Sequence, residues 1–315
     1  MKTFLLWGNK FFGVVIIITT LVLIYLPNYT MLDFITEYLV FYVIFLLISG
    51  IVGLIFNQKY ILYVSFGCAF MLTLFLKYSS NSDLKLPKPN NQPTIGIIHI
   101  NLSSISSFDI LQKLVQDKNY DVISFQEVTP DWDGVLSEIF RDSFPYDFEE
   151  FRLDLQGKSI FSKYPMDVKP DISIHNIKGK VIEIIKQNER YRLLSVYLTP
   201  PLDPKNKIEN EMELDEMTEV MLHIPNPAFV LGELNRVYWA KPIIEFRKIS
   251  QLMNSRRNAQ LSFKTSYNHI FYTGDMECYH FEDVFDETNV SIGCRGLYQK
   301  KKLNKPKRRF RKYEG

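Results

Sequence analysis

Apolar residues run almost without a break through the first 77 positions and then give way to short periodic stretches. Three apolar runs, at about residues 11–26, 34–56 and 61–76, contain no Lys or Arg. A bilayer-crossing helix needs about 20 such residues, so the pattern predicts a three-helix transmembrane anchor over residues 1–77. The first run is read as retained, because no small-residue cleavage site follows it and Pro27, Asn28 and Tyr29 lead straight towards the second. Lys2 and Lys10 precede the first run, the first loop carries Asp33 and no basic residue, and Lys59 lies in the second loop. Lys and Arg favour the cytoplasmic face, which places the rest of the chain on the periplasmic or extracytoplasmic side of the cytoplasmic (inner) membrane. Only Glu37, near an end, interrupts the runs with an ionisable group. That argues for an anchor in the bilayer rather than a transport path, with a bundle that binds another membrane or periplasmic protein as the alternative.

Residues 78–93 are rich in Ser, Asn and Pro and read as a polar linker. Beyond it the periodicity alternates between two and three to four. Residues 94–101 (TIGIIHIN) predict a strand, 108–118 a helix, and 121–127 (DVISFQE) a second strand, a strand–helix–strand unit of a layered α/β arrangement. A helix near 133–140 follows, then strands near 146–151, 158–162, 168–174, 180–185 and 190–198, a run suited to antiparallel pairing. Residues 207–223 predict an acidic amphipathic helix, 229–234 a buried strand, 242–253 a helix, and 266–272 and 277–285 the last strands.

Charge changes the picture at one place. The formal net charge is +2, yet residues 300–312 carry nine Lys or Arg, so the chain without its tail is mildly acidic. The tail, 299–315, is expected to meet anionic lipid or an acidic partner. Of three cysteines, Cys278 and Cys294 near the end could pair in an oxidising compartment, but spacing cannot decide it.

Four strand ends deliver polar groups: Asn101, Glu127, Glu233 with Asn235, and Asn268 with His269. In FVLGELN (residues 229–235), Glu233 and Asn235 point the same way because side chains alternate along a strand. Such ends gather on one rim of an open α/β layer. Trp132, Tyr238, Trp239 and His223 read more readily as local packing than as recognition groups.

Six segments in order, namely HIN ending at Asn101, DVISFQE ending at Glu127, GKSIFSKYP (157–165), LLSVYL (193–198), GELN (232–235) and NHIF (268–271), resemble the endonuclease/exonuclease/phosphatase superfamily with the DNase I-like fold. The resemblance covers about residues 94–298. It implies a four-layered α/β sandwich with two mixed sheets face to face, and metal-assisted cleavage of a phosphoester by water. A carboxylate at the position of Glu127 would hold Mg²⁺, helped by Asn101, and amides at Asn101 and Asn235 would orient phosphate and water.

The proton-handling groups of that pattern are replaced in this chain. Tyr197 stands where the family has an imidazole, and an unperturbed phenol titrates near ~10. Glu233 replaces an aspartate and reaches one methylene further, and Asn268 replaces another beside His269. The closing motif aligns with Ile292, Gly293 and Cys294, where Gly293 has no side chain and a thiol titrates near ~8.5. The expectation is a membrane-anchored pseudoenzyme with remnant catalytic positions Tyr197, Glu233, Asn235, Asn268, His269 and Cys294, binding no cofactor, or Mg²⁺ if the residual site is competent. The alternative is a working Mg²⁺-dependent phosphodiesterase or phosphatase with rearranged groups. Nucleic acid is not an expected partner.

Overall fold

A computed structural model describes residues 2–25, 37–80, 86–105, 107–169, 180–256 and 267–302. The basic tail beyond residue 302, the start of the second apolar run, and residues 170–174 of a predicted strand lie outside the described residues.

Three apolar helices come first: α1 (Lys2–Tyr25), α2 (Leu39–Ile55) and α3 (Lys59–Ser80). Two segments, Trp7–Tyr25 and Lys59–Ser80, are long and apolar enough to cross a membrane, with mean hydropathy 1.8 and 1.7, whereas Leu39–Ile55 has 17 residues and falls short of that length. Of the three expected spans, two helices thus have the length and composition to cross a membrane, and the third, Leu39–Ile55, is apolar but shorter. Small residues let the helices approach: Gly13 faces the Tyr60 ring and Gly50 the Phe66 ring. Asn9 donates to Gln58 at 2.7 Å between α1 and the start of α3.

The remainder folds as two six-stranded mixed sheets. The first has the order β11 (Met276–Phe285), β12 (Ser291–Lys300), β1 (Thr94–Asn101), β2 (Val122–Gln126), β4 (Lys158–Ser162), β3 (Tyr146–Glu150). The second has the order β5 (Met166–Lys169), β6 (Lys180–Lys186), β7 (Glu189–Tyr197), β8 (Ala228–Glu233), β10 (Asn268–Thr273), β9 (Leu252–Asn254). Each sheet holds one parallel pair at its centre, β1 with β2 and β7 with β8, and its other pairs are antiparallel. Parallel neighbours need a crossover, and helices α4 (Asp109–Gln116) and α6 (Pro204–His223) supply it.

The alternation within each central strand separates two cores. Ile95, Ile97, Val122 and Ile160 pack against Leu193, Phe229, Leu231 and Ile270 between the sheets. Their neighbours Ile98, Ile100, Ile123 and Phe125 face outward onto α4 and α5 (Val135–Phe140) through Leu111, Leu114, Leu136 and Phe140. Leu194, Val196, Val230 and Phe271 do the same on the second sheet, against Leu214 and Met217 of α6 and Ile243 and Phe246 of α7 (Lys241–Ile249). The result is the expected α/β/β/α sandwich.

Three strand predictions changed. Residues 250–253 leave the predicted helix, because α7 ends at Ile249 and Gln251 turns the chain at φ 54° into β9. The strand expected over 168–174 begins earlier, at Met166. Strand β12 was not predicted, since Gly293, Arg295, Gly296 and Gln299 break its apolar alternation. Gly293 is nevertheless fixed by packing: a Cβ there would stand 2.0 Å from the His99 carbonyl oxygen. Cys68, Cys278 and Cys294 are all buried and free, so the open question of a Cys278–Cys294 bridge is answered in the negative.

Candidate functional site

The two parallel pairs end on the same edge, and their carboxyl ends build the site. Asn101 closes β1, Glu127 follows β2, Tyr197 closes β7, Glu233 closes β8 and Asn235 follows it. Two of these residues sit in left-handed backbone, Glu127 at φ 58° and Asn235 at φ 53°. Such conformations cost a non-glycine residue of order 1–3 kcal/mol and cluster at functional sites. Gly232 at φ 148° lets β8 press onto β7, where a Cβ would meet the Val196 carbonyl oxygen at 1.8 Å.

Asn101 is the centre of the rim. Its Oδ1 accepts from the Ser103 backbone N–H at 2.9 Å and from the Ser103 hydroxyl at 2.8 Å. A backbone N–H can only donate, so this contact fixes which end of the amide is oxygen. The Nδ2 group therefore points the other way, donating to Glu127 Oε1 at 2.7 Å and to Glu233 Oε2 at 2.5 Å. One amide thus bridges carboxylates from the two sheets. The Glu233 carboxyl is held above its ordinary range by burial, opposed by the Asn101 bond and reinforced by the Glu127 charge. The Glu233 backbone N–H donates to Gln126 Oε1 at 2.9 Å, a second link across the sheets.

Tyr197 and Asn235 complete the rim. Asn235 Nδ2 donates to the Leu198 carbonyl at 2.7 Å. Burial pushes the Tyr197 phenol up to about 12, partly offset by a hydrogen bond with Asn235 and reinforced by Glu127 and Glu233. Tyr197 cannot exchange protons near neutrality.

Of the remaining predicted residues, Asn268 opens β10 directly opposite Glu233 on β8 and is buried at the level of the rim, whereas His269 and Cys294 are not on it. His269 is the neighbour of Asn268 on the strand, so alternation sends the imidazole to the opposite face, where it stacks on Phe271 at 5.2 Å between centroids. Its Nε2 meets the Arg236 carbonyl oxygen at 2.8 Å, a contact that requires the proton on Nε2. Burial first, then the charges of Arg256 and Arg247, pull its pKa down to about 3. Cys294 pairs with His99 two positions below Asn101, is fully buried, and has its thiol pushed up by burial. His269 and Cys294 are therefore core residues, and their expected place at the rim is corrected.

A buried polar row beneath the rim went unrecognised in the sequence. His99 Nδ1 lies 3.3 Å from Ser124 Oγ, which lies 3.4 Å from Ser195 Oγ across the sheets. Burial pulls His99 down to about 4. The signal was parity: His99 with Asn101, Ser124 with Gln126, and Ser195 with Tyr197 share faces. Lys158 lies nearby, lining a small cavity with Gln126, Gln156, Ser195 and Tyr197. Burial lowers it to about 8, and its charged neighbours are Glu150, Lys180, Arg152 and Asp154 rather than the rim carboxylates.

Tyr238 and Trp239 pack edge to face at 4.7 Å, and Trp132 meets Phe108 at 5.5 Å, as local packing predicted. His223 lies within its own helix, with Nδ1 2.7 Å from the Glu219 carbonyl oxygen.

Among the described residues no group of three or more His, Cys, Asp or Glu side chains is placed to hold a metal ion. Two carboxylates are nonetheless within the range of what Mg²⁺ accepts from protein, its other positions being filled by water and phosphate. Glu127 and Glu233 fit that donor chemistry, whereas Asn101 presents nitrogen to the site and could not serve as an oxygen ligand without turning.

Comparison with known proteins agrees with the fold. A family model described as the Endonuclease/Exonuclease/phosphatase family matches residues 100–287. No curated protein sequence matches the chain. Among solved structures, an endonuclease/exonuclease/phosphatase from Beutenbergia cavernae is similar with a TM-score of 0.50 at 11% identity, covering 66% of this chain and 72% of that one. A family protein from Bacteroides thetaiotaomicron gives 0.48 at 10% identity, covering 68% and 100%. The beta toxin of Staphylococcus aureus gives 0.47 at 14% identity, covering 66% and 100%.

Proposed function

The chain belongs to the Endonuclease/Exonuclease/phosphatase family, and from that premise we propose that it is a membrane-anchored, catalytically silent member whose rim binds rather than cleaves. The observation that carries this reading is the state of the proton-handling groups. Tyr197 titrates at about 12, His269 is turned into the core at about 3, and Cys294 is buried under the rim. General acid and base assistance contributes roughly 10² to 10⁴ in rate, and among the described residues neither imidazole nor thiol stands at the rim to supply it. Helices Trp7–Tyr25 and Lys59–Ser80 support attachment to a membrane by length and composition. The carboxylates Glu127 and Glu233 also disfavour nucleic acid, whose phosphates they would repel.

The full chain in detergent, assayed with Mg²⁺ or Mn²⁺ against bis-nitrophenyl phosphate, DNA and phospholipid, tests this. The expected result is no hydrolysis above the metal-only rate, and turnover of any of the three overturns it.

One observation favours a second reading. Glu233 is raised above the ordinary carboxylate range beside an ionisable neighbour, which is how a carboxyl becomes an acid or base. In that reading Glu127 would hold Mg²⁺, which when bound would polarise a phosphoryl oxygen. Tyr197 and Asn235 then orient the phosphate, and Glu233 handles the proton. Failure to detect Mg²⁺ binding by calorimetry would remove this reading.

A further inference from the structure

Two turns on the edge that carries the rim push leucines into the open. In the turn between β3 and β4, Arg152 grips Asp154 with Nε at 2.8 Å and a terminal nitrogen at 2.6 Å, and Asp154 Oδ1 also accepts from the Gln156 N–H at 3.0 Å. The Arg152 N–H donates to the Val128 carbonyl and the Val128 N–H to the Gly157 carbonyl, each at 3.1 Å. The polar groups of this turn are satisfied inward, and Leu153 is left 91% exposed, with Leu155 at 50%. After β7, Pro200 and Pro201 stiffen the chain, and the Leu202 N–H closes on the Pro200 carbonyl at 2.8 Å. Leu202 stands 85% exposed, just before Asp203 caps α6 through the Asn206 N–H at 2.8 Å. Structured turns, not slack loops, hold these leucines out.

The two turns share a corner. Gln156 and Gly157 line one small cavity with Val196 and Tyr197, so the Leu153 turn lies against the end of β7, from which the Leu202 turn leaves. Along α6 the outermost positions are Ile208, Met212, Asp215 and Glu219. At a rise of 1.5 Å per residue this stripe is apolar for about the first 12 Å from Pro204 and acidic beyond about 16 Å. Lys205 and Glu209, also exposed, flank Ile208 with opposite charges.

The same edge meets the outer end of the apolar helices. Tyr197, Glu233 and Asn268 are in register across β7, β8 and β10, which puts the end of β7 roughly 10 Å from the start of β10 at a strand spacing of ~4.8 Å. Tyr267, next to Asn268, donates its phenol to Glu37 Oε2 at 3.1 Å, and α2 begins two residues later. Arg256 donates to the Asn268 carbonyl at 3.1 Å, and its own carbonyl takes the hydroxyl of Ser80 at the end of α3. Arg247 donates to the carbonyls of Ser80, at 3.0 Å, and of Ser79. In the membrane-attached reading the end of α3 marks the bilayer surface, so the leucine turns stand on the edge that faces it. An apolar element at such a surface reaches ~5–10 Å into the headgroup and acyl boundary, and the change along α6 from apolar to acidic runs in the matching direction.

We propose that this corner docks on the bilayer itself: Leu153, Leu155, Leu202, Ile208 and Met212 enter the headgroup and acyl boundary, and the rim is held against the lipid surface. The inference goes beyond the binding reading above and rests on the membrane attachment stated there. Arg152 is paired with Asp154 and with Glu150, at 3.6 Å for the latter, and Lys205 stands beside Glu209. The docking therefore depends on acyl chains and not on headgroup charge.

The test uses the unaltered full chain in vesicles of phosphatidylcholine, alone or mixed with phosphatidylglycerol, doped with a phosphatidylcholine whose acyl chain carries a photoactivatable diazirine. Lipid adducts are mapped by mass spectrometry of peptides. The expected result is adducts within residues 151–156 and 199–212 as well as on the apolar helices, none within 215–223, and the same map in both lipid mixtures. Leu153→Asp together with Leu202→Asp removes the adducts at both turns and leaves those on the helices. Adducts confined to residues 1–80, or present at the turns only with phosphatidylglycerol, overturn the proposal. So does a second copy of the chain as the occupant, seen as chemical cross-links between the turns of two molecules in place of lipid adducts. Adducts missing from the helices as well would overturn the membrane attachment and the docking together. The lipid map needs no variant, so a misfolded variant does not blunt it. Hydrolysis of a phosphodiester would overturn catalytic silence alone and leave the map as it is.

Discussion

Glu127 and Glu233 on the rim and Asp283 inside the first sheet are carboxylates given opposite surroundings. Asp283 is gripped by both terminal nitrogens of Arg256, one of them at 2.5 Å, and the pair is almost wholly buried. The guanidinium also donates to the Asn268 carbonyl at 3.1 Å and lies 5.1 Å over the Phe281 ring. Lys186 with Asp121, at 2.7 Å, repeats the pattern elsewhere. Glu127 and Glu233, by contrast, share one neutral amide and have no cationic partner among the described residues. Where charge serves the fold it is paired and satisfied. Where it is left uncompensated, in backbone held at φ 58° for Glu127, the arrangement costs stability and points to a ligand.

The largest expected effect lies on the paired side. Asp283→Ala leaves the Arg256 guanidinium buried without its partner and should cost about 3–5 kcal/mol, read as a lowered thermal midpoint by circular dichroism in detergent. An unchanged midpoint would mean that the buried pair is no more structural than the rim.

Next comes pH. His99 and His269 are neutral in the fold, at about 4 and about 3, against about 6.5 in an unfolded chain. Both values are depressed, burial being the first cause and, for His269, the charges of Arg256, Arg247 and His99 opposing protonation further. The unfolded chain therefore takes up protons first. This contribution to stability is complete above pH 6.5 and is lost as pH falls towards 4, at about 1.4 kcal/mol per pH unit for each histidine. Thermal unfolding across that window checks it, and a flat profile would return His269 to an exposed, titrating role.

The smallest effect sharpens the other side. Glu233→Gln removes one of two facing charges while keeping an acceptor for Asn101, so stability should change by less than about 1 kcal/mol. A loss comparable to that of Asp283→Ala would show that the rim carboxylates are structural after all.

Much of this fold was legible in the chain. Alternation placed Asn101, Glu127, Glu233 and Asn235 at strand ends, and the parallel pairing of β1 with β2 and of β7 with β8 brought those ends together. What escaped was set across strands rather than along them. Gly293, read as a lost carboxylate, is demanded by the His99 carbonyl oxygen that passes beside it. Cys294 falls opposite His99 rather than Asn101, a register that spacing cannot fix. His269 was one residue from the rim and on the wrong face. The contact of Tyr267 with Glu37 joins residues 230 positions apart, beyond the reach of any local pattern.

The central claim is that the family frame survives here without its turnover. It is tested most directly by measuring hydrolysis of bis-nitrophenyl phosphate in Mg²⁺ by the unaltered full chain and by Glu127→Ala side by side. Identical rates, both at the metal-only level, are the predicted result. Turnover by the unaltered chain that Glu127→Ala abolishes would contradict it and establish the rim as a working phosphoesterase centre.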